Sequence, residues 1–282
     1  MEEQPLSSIG SYEFSSLIHS NDLSQIYYCY DKETGGKFAL RVFDSRKAES
    51  ENCFENLEIL SHFSHQSIMP IYEKNLVGSY SYCVMPFILG GDLFNFIREG
   101  RYLSKEGIIY TMLQLSNAIN HIHQRNFVHG NLRLENILIY HDEDPDSPHI
   151  VVTGFSHSQF KKIPCPITYR NDIYSAPEVE KTKELTQASD VYALGVIFYL
   201  LAKNIDTGGD QSTSFFQDKY FNDLLNGMIQ DDEKERWTIR DCVYHPFFDE
   251  YLHDHGKGDD ERTISNIVSQ IDYALQQAEA FE

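Results

Sequence analysis

The sequence is poor in basic residues. Its 282 residues include 23 Lys plus Arg against 43 Asp plus Glu, which gives a formal net charge of -20. A surface this acidic repels the phosphates of nucleic acids and the anionic headgroups of membranes. We therefore expect neither nucleic acid nor a membrane as a partner.

Cysteine and long apolar runs are also scarce. The five cysteines are odd in number and show no CxxC spacing, which argues against a disulfide framework or a zinc site and favours a reducing compartment. The longest nearly unbroken apolar run, VYALGVIFYLLA at 191–202, is too short to cross a bilayer. The start, MEEQPLSS, lacks the apolar core of a secretory signal. We expect a soluble protein of the cytoplasm or, alternatively, the nucleus.

The first half of the chain predicts a small antiparallel sheet with one helix. YEFSSLI, QIYYCYD and KFALRVF are rich in β-branched and aromatic residues, and a KETGG turn between the last two predicts a hairpin. In KFALRVF the period of two puts Phe38, Leu40 and Val42 on one face and Arg41 on the other. A charged residue on an inward face needs a partner or a ligand. Residues 45–63 predict a helix.

The second half is predicted to be mostly helical. An apolar stripe recurs at helical spacing from Ile108 to Ile122, and the acidic stretch 141–149 is typical of a solvated hairpin loop. Pro145 and the lack of a turn glycine argue against a calcium loop there. Residues 263–281 carry a second apolar stripe, which packs on the chain's own second lobe or docks a partner protein.

Six short stretches in a fixed order carry a family resemblance. They are FALR, HGNLRLEN, TGFS, SAPE, SDVYALGVIFYL, and ERWTI followed by HPFF. In this order and at this spacing the chain resembles a eukaryotic-type protein kinase domain of the serine/threonine, CaMK-like kind. The resemblance implies an α+β, bilobal fold with a small β-sheet N-lobe that carries one helix and a mostly helical C-lobe. It divides the chain into a tail (1–10), N-lobe (11–85), hinge (86–90), C-lobe (91–256) and C-terminal helical tail (257–282).

The positions that bind phosphate in kinases depart from the family pattern. In IHSNDLSQI, His19, Asn21 and Ser24 stand where the family has the three glycines that let backbone N–H groups approach phosphates. The strand lysine corresponds to Arg41, which is planar and longer. Its glutamate partner falls on Asn56. If the register is off by one, Glu55 pairs with Arg41 instead.

The catalytic loop and the metal-binding turn depart in the same way. His129 and Asn136 match the family, Arg133 stands at the lysine position, and Asn131 replaces the catalytic aspartate. An amide cannot take a proton at pH 7, and general-base help is worth about 10² to 10⁴ in rate. Gly154 replaces the aspartate that binds magnesium, so no metal site is expected.

The retained positions are structural by resemblance. Glu178 and Arg236 match a buried ion pair of the family. Asp190 matches the residue that caps the catalytic-loop backbone. The hydrophobic column that links the lobes in kinases corresponds to Leu60, Ile71, His129 and Phe155. A candidate nucleotide slot comprises Ile26, Ala39, Arg41, Met85, Phe87 and Leu138.

The resemblance therefore points to a pseudokinase that acts as a scaffold or allosteric partner of an active kinase or another signalling protein. It requires no cofactor, and ATP binding without a metal remains an open expectation. The alternative is a weak or unconventional ATP-dependent serine/threonine kinase. A third interpretation is a decaying paralogue. Gly130, at the position of the family's arginine, has no side chain to hold a phosphate on the activation segment, where Thr168, Tyr169 and Tyr174 are candidate acceptors.

Overall fold

The computed structural model divides the chain into two compact units, Met1–Leu89 and Gly90–Glu282. It describes residues 7–141, 146–155, 158–160, 163–164, 172–207 and 215–249. The boundary falls inside the segment 86–90 that the sequence predicts as a hinge. Among the described residues, no helix is both long and apolar enough to cross a membrane.

The first unit is built on a six-stranded antiparallel sheet with the order β1-β2-β3-β4-β6-β5. Its strands are β1 (Ser8–Ile9), β2 (Tyr12–Ser20), β3 (Ser24–Asp31), β4 (Lys37–Asp44), β5 (Glu73–Val77) and β6 (Tyr80–Pro86).

The predicted hairpin is confirmed as β3 and β4. The face that carries Leu40 and Val42 is buried in the core of the sheet, with Phe38 packed against it. Arg41 points to the opposite face, as the period of two requires.

A carboxylate supports the buried face of this sheet. Glu73 accepts hydrogen bonds from the hydroxyls of Tyr12 at 2.8 Å and Tyr82 at 3.0 Å, and from the Asn75 amide at 3.1 Å. Burial by itself would raise the pKa of Glu73, but the hydrogen bonds from Asn75, Tyr12 and Tyr82 outweigh it and hold the pKa below its ordinary value.

The helix predicted for residues 45–63 is shorter than expected. The α-helix α1 spans Ala48–Asn56, and the chain then winds as a 3₁₀ helix over Leu57–His62. The buried side chains of Phe54, Leu57 and Leu60 recur every three residues. A spacing of three fits both the 3.6 residues per turn of an α-helix and the three residues per turn of a 3₁₀ helix, so the apolar pattern is compatible with either.

The second unit is mostly helical. Its helices are α2 (Leu93–Arg98), α3 (Lys105–His123), α4 (Pro177–Thr182), α5 (Gln187–Thr207), α6 (Lys219–Met228) and α7 (Ile239–Val243). Its short strands are β7 (Phe127–Val128), β8 (Ile137–His141), β9 (His149–Val152), β10 (Gln159–Phe160), β11 (Ile163–Pro164) and β12 (Glu184–Leu185). Among the described residues, 3₁₀ turns span Leu134–Asn136 and Phe215–Gln217. The stripe predicted from Ile108 to Ile122 lies on α3 and is fully buried.

The strands β8 and β9 form the hairpin predicted on either side of the acidic stretch. The glycine pair at 90–91 packs against this hairpin. A Cβ on Gly90 would collide with the carbonyl of Ile139, and Gly91, at a φ of +75°, accepts the Ile139 N–H at 2.9 Å. Glycine is therefore required here for close backbone approach.

Candidate functional site

The turn between β2 and β3 corresponds by resemblance to the phosphate-binding loop of kinases, and two of its amides are hydrogen-bonded to a side chain. The side-chain oxygen of Asn21 accepts the backbone N–H groups of Leu23 at 3.0 Å and Ser24 at 2.9 Å. Asparagine favours this local turn because its side chain reaches the backbone two residues further on. Two donors of the loop are thus occupied by Asn21, which stands at one of the three glycine positions.

Arg41 is held inside the first unit. Its Nε donates to the Ser24 hydroxyl at 2.8 Å, and its guanidinium carbon lies 5.0 Å from the centre of the Phe43 ring. Burial lowers the pKa of the Arg41 guanidinium. Among the described residues Arg41 forms no ion pair, and Glu55 is exposed, so the alternative pairing of Glu55 with Arg41 is absent. Asn56 is the last residue of α1.

Four of the predicted slot residues share one face of the sheet. Ile26 pairs with Arg41, and Ala39 pairs with Met85, in the registers of β3, β4 and β6. Residues directly opposite one another, or two apart, point to the same side of a sheet. The Phe87 ring lies 4.3 Å from the ring of Tyr28, a residue of the same face that was not among the predicted slot residues. The alternation of residues in QIYYCYD could have indicated that Tyr28 lies on the same face as Ile26.

Leu138 lies on β8 of the second unit, where it is partly buried. The predicted column is likewise divided between the units. Leu60 and Ile71 belong to the first unit, while His129 and Phe155 lie in the second with ring centres 4.5 Å apart.

The catalytic loop is held by a buried carboxylate. Asp190 accepts the N–H groups of His129 at 2.8 Å and Gly130 at 2.9 Å, and it contacts the His123 Nε2 at 2.9 Å. The His129 ring is fully buried, with its Nε2 3.0 Å from the carbonyl of Thr153. Bonds to a charged acceptor are stronger than neutral ones, so Asp190 sets the path of the loop.

The side chain of Asn136, which stands at a metal-ligand position by the family resemblance, lies against Gly154. The Asn136 Nδ2 donates to the carbonyl of Asn131 at 2.7 Å, and a Cβ added at Gly154 would lie 2.6 Å from the Asn136 Cγ. Gly154 has a φ of +91°, which glycine adopts without strain.

The donor set does not fit magnesium. Mg²⁺ prefers one or two carboxylates in octahedral geometry, whereas Asn131 and Asn136 offer neutral amides and Gly154 offers no side chain. No cluster of three metal-ligating side chains occurs in the described part of the chain. These residues therefore lack the charge and the geometry to hold the magnesium that kinases use.

Arg133 is engaged by neighbouring acids. Its Nη2 lies 2.6 Å from Asp172 and its Nε lies 3.2 Å from Glu135, while its guanidinium carbon is 5.5 Å from the centre of the Tyr174 ring. Burial raises the pKa of the Tyr174 hydroxyl to about 12. The cation at the family's lysine position is thus neutralised within the chain. Asp172 was not predicted as a partner because it lies 39 residues from Arg133.

Arg236 and Glu178 lie in contact, as the resemblance implies. The guanidinium donates to both carboxylate oxygens, at 2.6 and 2.9 Å, and also to the carbonyls of Ala188 and Gln230. The Arg236 side chain is fully buried. A bidentate pair with its remaining donors satisfied is the arrangement in which burial of two charges is tolerated.

Several predicted positions lie outside the described residues. They are Thr168, Tyr169 and the C-terminal tail 257–282.

Known proteins provide an independent comparison. The family model described as Protein kinase domain matches residues 12–248. A meiosis-specific serine/threonine-protein kinase, mek1 of Schizosaccharomyces pombe, is 25% identical over 258 residues, which cover 82% of this chain and 58% of that protein. Serine/threonine-protein kinase H2 of Homo sapiens is 29% identical over 226 residues, with 78% and 57% covered. A probable serine/threonine-protein kinase, fhkC of Dictyostelium discoideum, is 24% identical over 269 residues, with 84% and 44% covered.

The chain spans about half the length of the relatives it matches. The family match covers most of the chain, and it agrees with the α+β fold of an antiparallel sheet unit and a helical unit. The chain therefore belongs to the protein kinase domain family, and its relatives are serine/threonine kinases.

Proposed function

We propose that this protein is a pseudokinase, a protein kinase domain without efficient phosphotransfer that acts by binding another signalling protein as a scaffold or allosteric partner. The observation that carries the proposal is the contact of Asn136 with Gly154. The Asn136 amide stands where an aspartate side chain at position 154 would begin, and it is tied to the Asn131 carbonyl at 2.7 Å.

The loss of the base supports the same proposal. Asn131 can accept a hydrogen bond from a substrate hydroxyl, but it cannot remove the proton at neutral pH. The cost is about 3 to 5 kcal/mol in the barrier, from a rate factor of about 10² to 10⁴. The missing metal removes several kcal/mol of further charge stabilisation.

The groups that would hold phosphates are bound within the chain. Asn21 occupies loop amides, Arg41 is bonded to Ser24, and Arg133 is paired with Asp172. A phosphate must break these contacts before it gains new ones, which weakens nucleotide binding. We propose that any ATP binding is weak and independent of metal, and that no cofactor is required.

The retained contacts suit a binding role. Asp190 holds the catalytic-loop backbone, and the Glu178–Arg236 pair ties α4 to the segment before α7. These contacts stabilise a defined surface and need no chemistry. We propose a protein partner, not nucleic acid or a membrane, in the cytoplasm or nucleus.

A nucleotide titration and a transfer assay test the proposal. Thermal unfolding is measured with ATP in the presence of Mg²⁺, Mn²⁺ or a chelator, and transfer of radiolabelled phosphate to a generic protein substrate is then followed. We expect no transfer and no dependence on the metal. An Arg41→Ala variant is the matched control, because it removes the cation without touching the catalytic loop.

Magnesium-dependent transfer that disappears in Arg41→Ala would overturn the proposal. That result would establish the alternative, a weak or unconventional serine/threonine kinase that holds its nucleotide through Arg41.

A further inference from the structure

The turn between β2 and β3 is tied to the helix α1 of the same unit. The hydroxyl of Ser50, on the first turn of α1, donates to the carbonyl of Leu23 at 2.7 Å. The Nζ of Lys47, the residue before α1, lies 3.5 Å from the carbonyl of Asp22. The Ser50 side chain is fully buried. A buried serine of the helix therefore helps to set the position of the turn.

Ser50 belongs to the face of α1 that packs on the sheet. Phe54 follows four residues later on the same face, and its ring centre lies 5.6 Å from that of Phe43 on β4. One helix thus contacts both the sheet and the turn. A displacement of α1 away from the sheet therefore breaks the contact between Ser50 and the Leu23 carbonyl.

The same turn also closes on the cation of β4. The Nε of Arg41 donates to the hydroxyl of Ser24 at 2.8 Å, and Ser24 is only 4% exposed. A guanidinium binds phosphate best through two parallel N–H donors. A phosphate that uses the Nε of Arg41 must displace the Ser24 hydroxyl, so the turn has to move with it.

A closed turn reduces the apparent affinity for phosphate. A ligand that binds only the open form has its affinity lowered by the fraction of molecules that are open. Removal of one neutral hydrogen bond from the closed form raises that fraction by about fivefold when the open form is rare. The contact between Ser50 and Leu23 is such a bond, and it lies outside the groups that a phosphate would touch.

We propose that α1 and the β2–β3 turn form an autoinhibitory latch, in which Ser50 holds the turn closed on Arg41 until α1 moves. The latch rests on the proposed function, in which Arg41 is among the groups that the phosphates of a nucleotide would meet. It adds a coupling between two places on the first unit. A partner protein that draws α1 away from the turn raises the affinity for phosphate, and phosphate loosens α1 by the same factor.

Titration of the full chain with inorganic tripolyphosphate in a chelator tests the latch. This anion carries the phosphates of ATP without the base, so its binding reports on Arg41 and the turn. In calorimetry, Ser50→Ala should bind it about fivefold more tightly than the parent does. The matched control is Ser61→Ala, which removes an exposed hydroxyl that donates to the Glu58 carbonyl at 2.7 Å, and it should bind as the parent does. Adding Arg41→Ala to Ser50→Ala should abolish the gain.

Amide hydrogen exchange follows the helix directly. Saturating tripolyphosphate should speed the exchange of the α1 amides in the parent, because the open turn no longer accepts the Ser50 hydroxyl. The variant Arg41→Ala should show no such change. This experiment leaves Ser50 in place, so it decides the matter even where Ser50→Ala destabilises the fold.

Three results would overturn the latch. They are a Ser50→Ala chain that is folded by circular dichroism and binds tripolyphosphate no more tightly than the parent, a gain that survives Arg41→Ala, and exchange in α1 that the anion leaves unchanged or slows. Magnesium-dependent phosphotransfer, by contrast, would overturn the proposed function and leave these metal-free measurements unaffected.

Discussion

An aspartate introduced at position 154 tests whether the side chain of Asn136 closes the space beside Gly154. A Cβ at Gly154 would lie 2.6 Å from both Cγ and Nδ2 of Asn136, so the Asn136 side chain must turn away and lose its hydrogen bond to Asn131. The lost bond costs about 1 kcal/mol. A φ of +91° adds about 1 to 2 kcal/mol for a residue with a Cβ. The variant Gly154→Asp should therefore lose about 2 to 3 kcal/mol of unfolding free energy, or roughly 5 to 10 °C in Tm.

The matched control is Gly154→Ala, which adds the same Cβ without a carboxylate. In a chelator, thermal unfolding should show similar losses for the two variants, because the shared Cβ causes them. With added Mg²⁺ only Gly154→Asp should recover stability, by about 1.4 kcal/mol at a metal concentration ten times its Kd. The parent protein should not respond to Mg²⁺.

Two results would refute this reasoning. If Gly154→Ala unfolds at the temperature of the parent, the space at Gly154 is not closed by Asn136. If the parent gains as much from Mg²⁺ as Gly154→Asp does, the chain holds the metal through other groups.

Three further changes test the contacts that support the two units. Glu178→Gln should lower the unfolding free energy by about 3 kcal/mol in chemical denaturation, because it leaves the buried Arg236 without its counter-charge. Glu73, whose folded pKa is lowered, stabilises the fold above its unfolded pKa, and this stability is lost as the pH falls through the folded pKa. Glu73→Gln should therefore flatten the acid limb of a stability–pH curve. Asp190→Asn should weaken the bonds to the two catalytic-loop amides by about 2 kcal/mol, seen as roughly thirtyfold faster amide hydrogen exchange there.

Each of these expectations has a contrary outcome. A double variant, Glu178→Leu with Arg236→Met, should recover much of the loss, and a loss equal to the sum of the single variants would argue against a coupled pair. If the acid limb of the stability–pH curve is unchanged in Glu73→Gln, other carboxylates cause the loss of stability at low pH. Exchange that rises equally across α3 in Asp190→Asn would indicate global unfolding and not a local loss at the loop.

The sequence could predict features that depend on near neighbours. The β3–β4 hairpin follows from its turn and the period of two, and the buried stripe of α3 follows from the helical repeat. The helix at 45–63 was wrong in length, because steps of three fit both an α-helix and the 3₁₀ helix that the chain forms. The Glu178–Arg236 pair was reached through the family resemblance, since its partners are 58 residues apart.

The partners of the site residues could not be predicted in the same way. Ser24 binds Arg41 from 17 residues away, and Asp172 binds Arg133 from 39 residues away. Such contacts depend on sheet register and side-chain rotamers, which no local pattern of residue types encodes.

The sequence by itself indicated the family, the β3–β4 hairpin and the buried stripe of α3, and by resemblance it placed Asn131 and Gly154 where the family has two aspartates, because these are matters of residue identity and near neighbours. Only the tertiary structure decided what replaced them. The amide of Asn136 packs on Gly154, and the side chain of Asn21 accepts a backbone N–H of its own turn. Arg41 donates a hydrogen bond to the Ser24 hydroxyl. The physical reason is that buried polar groups must find partners in the fold, and which partners are within about 3 Å is settled by packing in three dimensions.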